Sequence, residues 1–153
     1  MKMDRKGVTL IELIVVFVII AIGAVLTVPN LGPWLANYRL RTATRDITST
    51  LRTAQMKAVS TNLEYRVYFD SEKFWLERGN LSSNSTNWVT PQAKEGADNF
   101  LPKGIIINFT SNFIEFNTDS SCGPGATITL TNTKGKINTI TVTTSTGKVN
   151  VSS

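Results

Sequence analysis

The chain has 153 residues, enough for one modest globular domain beside a terminal anchor. It carries a formal net charge of +5, no histidine and a single cysteine, Cys122. This composition excludes an intramolecular disulfide and histidine-based catalytic triads. The sequence also lacks a glycine-rich phosphate loop and any cluster with metal-ligand spacing. We therefore predict that the chain is not an enzyme and has no catalytic, cofactor-binding or metal-binding residues.

The first predicted element is an apolar helix. From Val8 to Val28 the sequence is almost entirely apolar, and Glu12 is its single charge. A stretch of this length is typical of a membrane-spanning helix. A charged side chain at the centre of such a helix costs about 2.5–3.5 kcal/mol, and the apolar residues together offset that cost. An ionisable residue inside a membrane segment predicts a functional role for Glu12.

The segment Gly7-Val8-Thr9-Leu10-Ile11-Glu12-Leu13 resembles the signature of type IV pilins and type II secretion pseudopilins. In that family a membrane peptidase removes a short basic leader after the glycine, and the new N-terminal residue, usually Phe, is N-methylated. The resemblance implies cleavage between Gly7 and Val8 and N-methylation of Val8. It also implies that Glu12 guides assembly, because the family's carboxylate pairs with the N-terminal amine of a neighbouring subunit.

Three other interpretations of this region stay open. Residues 1–22 have the basic and apolar regions of a secretory signal peptide, although the apolar run is too long and no small-residue cleavage site follows it. The segment also fits a membrane anchor that is never processed. The third interpretation concerns Glu12 alone, as a polar group that only sets the depth of the helix in the membrane.

The domain boundaries follow from these assignments. We predict a leader peptide over residues 1–7, a transmembrane helix over 8–29 and an extracytoplasmic globular domain over 30–153. Removing the leader lowers the net charge from +5 to +3, because it carries Lys2, Arg5 and Lys6 against Asp4. The positive-inside rule places the N-terminus in the cytoplasm. The implied location is the bacterial inner membrane, with a single pass and a periplasmic C-terminal domain that enters a pseudopilus or pilus.

A second helical pattern follows Pro29, Gly32 and Pro33, which should kink or locally melt the helix. Small and apolar residues recur at steps of three and four, which predicts one buried face of a helix from about Trp34 to Thr61. That face comprises Leu40, Ala43, Ile47, Leu51, Ala54 and Ala58.

From residue 62 the apolar period changes to two, which predicts β-strands. Seven strands are predicted, over residues 65–69, 73–77, 104–109, 112–116, 126–131, 138–144 and 148–151. The region from Gly79 to Asn99 is predicted as a polar loop that holds a short strand near Trp88. Cys122 is predicted as a half-buried residue of a loop between strands. The fold class is therefore α+β, with a long N-terminal helix, part membrane anchor and part amphipathic, packed on antiparallel β-sheet.

The order of these elements is similar to that of minor pseudopilins and minor pilins of the GspH/FimT type. The implied function is a minor subunit that primes or caps a type II secretion pseudopilus or a type IV pilus. Its implied partners are other pilins or pseudopilins, the prepilin peptidase, the inner-membrane assembly platform and membrane lipid. Some members that take up DNA carry Gly-Arg-x-Arg near the C-terminus, where this chain has Gly147-Lys148-Val149-Asn150. The alternative function is that of a DNA-binding minor pilin with a weak contact through Lys148. An adhesive role is a further alternative. We do not expect nucleic acid as the partner, because only one of the motif's two basic positions is basic here.

Overall fold

The computed structural model describes residues 7–27, 31–90, 99–123 and 125–153. The chain divides into two units, Met1–Leu35 and Ala36–Ser153. Two helices, α1 (Leu10–Thr27) and α2 (Leu31–Thr61), take the place of the single long helix predicted from the sequence. Residues 28–30 lie outside the described residues, so the predicted kink at Pro29 stays a prediction. The leader over residues 1–6 also lies outside them.

Helix α2 begins earlier than predicted. It starts at Leu31, so Gly32 and Pro33 belong to its first turn. A proline is tolerated there because the first N–H groups of a helix have no intrahelical acceptor. The helix ends at Thr61, and Asn62 follows with φ of 54°, a left-handed conformation that commonly terminates helices.

In the described part of the chain, nine short strands follow the helices. They are β1 (Tyr65–Phe69), β2 (Lys73–Gly79), β3 (Trp88–Val89), β4 (Asn99–Phe100), β5 (Ile105–Phe109), β6 (Phe113–Phe116), β7 (Ala126–Asn132), β8 (Ile137–Val142) and β9 (Val149–Ser152). Each of the seven predicted strands is present within a few residues of its predicted bounds, as is the short strand near Trp88. The predicted fold class, a helix packed on antiparallel sheet, is confirmed.

The strands form two antiparallel sheets. The first has the order β3-β2-β1-β6, with β4 also paired to β2, and the second has the order β5-β7-β8-β9. Strand β4 lies at the end of the region predicted as a loop, and residues 91–98 of that region lie outside the described part of the chain. A two-residue strand has no apolar period, so only its pairing of Asn99 and Phe100 with β2 reveals it.

One hydrophobic cluster joins α2 to both sheets. The predicted face of α2 is confirmed, because all of its residues from Leu40 to Ala58 are at most 1% exposed. The same cluster contains inward residues of β1, such as Val67, and of β7, such as Ile128. These strands alternate buried and half-buried residues, as strands with one face on a core do.

Candidate functional site

The segment from Gly7 to Glu12 forms the start of α1. Helix α1 begins at Leu10, which makes Thr9 its N-cap residue. The hydroxyl Oγ1 of Thr9 accepts a hydrogen bond from the Glu12 backbone N–H over 3.3 Å. The Thr9 carbonyl accepts the first helical bond from the Leu13 N–H over 3.2 Å. The first turn is therefore capped locally, by a threonine that the sequence analysis did not single out.

Glu12 occupies the third helical position, where an acid is favoured for two reasons. Ser or Thr at the N-cap followed by Glu three residues later is the capping-box spacing. A carboxylate near a helix N-terminus also interacts favourably with the helix dipole, by about 0.3–1 kcal/mol when exposed. The spacing Thr9-x-x-Glu12 was visible in the sequence and predicts this cap directly. Part of the reason for an acid at Glu12 is thus local to the helix.

The peptide bond between Gly7 and Val8 is open on all sides. Gly7 is exposed, and a Cβ atom added to it would meet no other atom within 4 Å. Val8 is 72% exposed. Among the described residues of this unit, none would obstruct an enzyme that approaches the bond. This geometry is compatible with the predicted cleavage, which itself stays a prediction.

The side chains of α1 have no cover within their own unit. Every side chain described from Gly7 to Ala24 is exposed, including eleven large apolar ones from Leu10 to Ile22. A helix that is apolar all round is normally buried in a protein core or a membrane. Among the residues that the structure describes, no helix combines the length and apolar character needed to cross a membrane. The transmembrane segment over 8–29 stays a prediction.

The C-terminal residue predicted as an alternative nucleic-acid contact lies directly before β9. Lys148 is exposed, and its backbone N–H donates to Thr146 Oγ1 over 3.3 Å. The turn that precedes it is held by Gln55, whose Nε2 donates to the carbonyls of Ser120 and Thr146. Lys148 therefore stands on a well-positioned turn as the single basic residue of the stretch Gly147 to Asn150.

Cys122 is more deeply buried than the half-buried loop residue that the sequence predicts. It is 5% exposed and forms an isolated β-bridge with Phe116. Burial, with a smaller contribution from the nearby Glu115 carboxylate, raises the pKa of its thiol to about 11. A thiol in this state is a poor nucleophile at neutral pH.

The sequence analysis also missed a buried carboxylate that organises a loop. Glu64 is 2% exposed, and its two carboxylate oxygens accept hydrogen bonds from the backbone N–H groups of Asn84 and Ser85, over 2.8 and 2.7 Å. Glycine at position 79 allows this loop to lie close to the end of β2, because a Cβ atom on Gly79 would lie 2.2 Å from the Ser85 hydroxyl oxygen. Glu64 therefore has a structural role in closing the polar loop after β2.

Within the described ranges no group of three His, Cys, Asp or Glu side chains is placed to hold a metal ion.

The start of the chain matches a known family model. Residues 2–28 match the family model described as the prokaryotic N-terminal methylation motif. No curated protein matches the whole sequence significantly.

Three solved structures share the fold. The type IV minor pilin FimU of Pseudomonas aeruginosa is 14% identical and has a TM-score of 0.60, with 79% of this chain and 93% of FimU covered. GspH of E. coli is 16% identical, with a TM-score of 0.62 and coverage of 76% and 89%. The minor pseudopilin EpsH of the Vibrio cholerae type 2 secretion system is 9% identical, with a TM-score of 0.59 and coverage of 75% and 97%. In N-terminal motif and in fold the chain resembles the minor pilins and GspH-type minor pseudopilins, which confirms the resemblance seen in the sequence.

Proposed function

We propose that this chain is a minor subunit of a type II secretion pseudopilus or a type IV pilus, with a structural rather than an enzymatic role. The observation that carries the proposal is the first turn of α1. An exposed Gly7–Val8 bond, the Thr9 cap and Glu12 stand at the head of a helix whose apolar side chains are all exposed. The fold shared with FimU, GspH and EpsH supports the same class.

Processing creates the assembly group in this proposal. The prepilin peptidase cleaves between Gly7 and Val8, and the freed amine of Val8 is N-methylated. Helix α1 then lies in the inner membrane, with the N-terminus in the cytoplasm and the globular domain in the periplasm. The exposed apolar residues of α1 are the feature that supports this location, because they need either lipid or other helices as cover.

Glu12 provides the polar contact during assembly. Helices packed side by side form a medium of low dielectric, in which an unpaired carboxylate is strongly disfavoured and a paired one is tolerated. The carboxylate of Glu12 pairs with the Val8 amine of a neighbouring subunit and so fixes the axial position of the incoming subunit. As a minor subunit, the chain primes or caps the filament together with other pilins or pseudopilins and the inner-membrane assembly platform.

The DNA-binding alternative has less support. It depends on the stretch Gly147 to Asn150, where Lys148 is the one basic residue. Affinity for DNA rises steeply with the number of phosphates neutralised, so one lysine predicts weak and non-specific binding. We therefore expect no gel shift of DNA by the protein at physiological salt.

The test separates the charge of Glu12 from its capping role. Glu12→Gln keeps a capping-box residue at the third helical position but removes the charge. Glu12→Val removes both. Each variant is expressed in its host beside the wild type, and we measure its amount in the inner membrane and in sheared filaments. We expect both variants to accumulate in the membrane and both to be depleted from filaments by at least about tenfold, the effect of a lost interaction of about 1.4 kcal/mol.

The two variants have different diagnostic value. If Glu12→Gln enters filaments as the wild type does while Glu12→Val does not, the acid acts as a cap and the proposed charge pairing is wrong. If both enter normally, Glu12 does not guide assembly at all.

A further inference from the structure

Strand β9 leaves one edge of the second sheet open. It is the last strand in the order β5-β7-β8-β9, and no described strand pairs with its outer side. The Thr143 N–H donates to the Lys148 carbonyl over 3.1 Å at the start of the β8–β9 ladder. Hydrogen-bonded and non-hydrogen-bonded pairs alternate along an antiparallel ladder, so Val149 and Val151 form the non-hydrogen-bonded pairs. The backbone N–H and C=O groups of these two valines therefore point to the open edge.

The inner face of β9 is only partly covered. Val149 and Val151 pair with the buried Val142 and Ile140, so their side chains lie on the inner face of the sheet. Val149 packs against the core, whereas Val151 is 47% exposed. A groove of about 480 Å³ lies in the uncovered space between α2 and β9. This volume is within the range of about 300–1,000 Å³ that ligand sites occupy.

The lining of the groove is basic and partly apolar. Arg45 and Arg52 of α2 line it, together with Ser49, Met56 and Val151. The two arginines are seven residues apart, which places them about 10 Å apart along the same side of the helix. Both are exposed, and within the described part of the chain neither has a carboxylate partner. Met56 is 64% exposed and adds an apolar surface beside them.

The threonine hydroxyl groups of the groove are already engaged. Thr48 Oγ1 donates to the Thr44 carbonyl over 2.7 Å, and Thr53 Oγ1 donates to the Ser49 carbonyl over 2.9 Å. Thr44 Oγ1 donates to the Leu40 carbonyl and accepts from Asn138 Nδ2. The donors left for a ligand include the two guanidinium groups, the Ser49 hydroxyl and the backbone edge of β9.

We propose that this groove binds an extended acidic segment of a partner protein, which adds to β9 as a further strand. Strand addition to an open edge is an established mode of peptide recognition, in which backbone hydrogen bonds supply affinity and side-chain contacts supply specificity. The backbone of the segment bonds to Val149 and Val151. Its acidic side chains meet Arg45 and Arg52, and an apolar side chain between them packs on Met56 and Val151.

The charges select this occupant over two others. A second copy of the chain paired edge to edge would bring the arginines of one copy towards those of the other, which like-charge repulsion disfavours. A nucleic acid has no backbone N–H groups to pair with the open carbonyls of β9, and two arginines neutralise few phosphates. The groove lies wholly in the unit Ala36–Ser153 and involves none of Gly7, Val8 and Glu12, so it does not depend on the proposed role in a filament.

The test uses the full chain in detergent micelles and a short fluorescent peptide with the repeat Glu-Ser-Val-Ser, which places Glu and Val in alternation on one face of an added strand. Binding is measured by fluorescence anisotropy. One control peptide replaces every Glu by Lys, and a second carries N-methyl groups on alternate amides so that it cannot add as a strand. We expect the acidic peptide to bind and both controls to bind at least about tenfold more weakly, which corresponds to about 1.4 kcal/mol.

Protein variants locate the site. The double variant Arg45→Glu and Arg52→Glu should weaken binding of the acidic peptide by at least about tenfold. The double variant Arg41→Glu and Arg78→Glu, an equal change of charge at two exposed positions outside the groove, should change it by less than about threefold, as expected for surface charges that do not line the site. Unchanged circular dichroism would show that the variants are folded. Equal binding of the N-methylated peptide, equal effects of the two sets of variants, or tighter binding of oligothymidylate at Arg45 and Arg52 would each overturn the proposal.

Discussion

The two helices of this protein contain similar apolar residues in different environments. Helix α1 is apolar on every side, and its described side chains are all exposed. Helix α2 restricts its buried residues to one narrow face, and that face is completely covered by the two sheets. The two sheets therefore supply the partner surface for α2, whereas the described side chains of α1 stay exposed. The comparison teaches that α2 serves the stability of this chain, whereas α1 serves contacts beyond it.

The largest expected effect is a difference in the free energy of unfolding when the same substitution is made in each helix. Ile47 in α2 is 0% exposed, and Ile14 in α1 is 46% exposed. Ile47→Ala should lower the free energy of unfolding by about 2–5 kcal/mol, because it removes transfer energy and leaves a cavity. Ile14→Ala should change it by less than about 0.5 kcal/mol, as is usual for an exposed position. Denaturant unfolding of the full chain in micelles, followed by the near-ultraviolet circular dichroism of the aromatic core, measures both. Equal losses would contradict the comparison.

The next effect concerns two glycines with positive φ in the globular unit. Gly135 has φ of 77° and open space around it, so Gly135→Ala should cost about 1–2 kcal/mol, the cost of the left-handed conformation alone. Gly147 has φ of 59°, and a Cβ there would lie 2.3 Å from the Ser120 carbonyl oxygen. Gly147→Ala should therefore destabilise the protein more than Gly135→Ala does, because the backbone must also move. Thermal unfolding gives the relative stability of the two variants. A Gly135→Ala variant less stable than Gly147→Ala would show that the turn before β9 is not tightly packed.

The smallest effect depends on pH. Burial raises the pKa of the half-buried Glu115 above its ordinary value, the nearby Glu64 carboxylate raises it further, and Arg66 lowers it. Because the folded-state pKa exceeds the unfolded-state pKa, Glu115 makes folding less favourable as pH rises from its ordinary pKa through the raised one. Glu115→Gln removes this dependence and should stabilise the protein above that window but not below it. Urea unfolding across acidic to neutral pH tests this, with the exposed Glu72→Gln as control. A wild type that gains stability relative to Glu115→Gln as pH rises would contradict the sign.

The parts of the fold with a clear apolar period were predictable from the sequence. The face of α2 from Leu40 to Ala58 was predicted residue by residue, as was strand β1, and the predicted strand 73–77 is two residues shorter than β2. The start of α2 was not, because Gly32 and Pro33 resemble a helix break unless their place in the first turn is known. Strand β4 was missed because two residues carry no period.

The candidate site was predictable only in its chemistry. The motif from Gly7 to Glu12 was evident from the sequence, and the Thr9 cap was readable from its spacing although it went unnoticed. The groove beside β9 was not, because it depends on how far α2 reaches over the last strand. The burial of Glu64 was also unpredictable, since two backbone N–H groups from a distant loop compensate its charge. Such features arise from tertiary contacts and leave no local pattern.

The processing of the N-terminus is the central claim. Its most direct test is the intact mass of the protein purified from cells that contain the prepilin peptidase. The account predicts a chain that begins at Val8 and carries one added methyl group. Gly7→Val is the control, because a Cβ at this open position meets no described atom within 4 Å, so lost cleavage would reflect the peptidase site and not misfolding. A wild-type protein that retains residues 1–7 in assembled filaments, or that begins at another residue, would contradict the account.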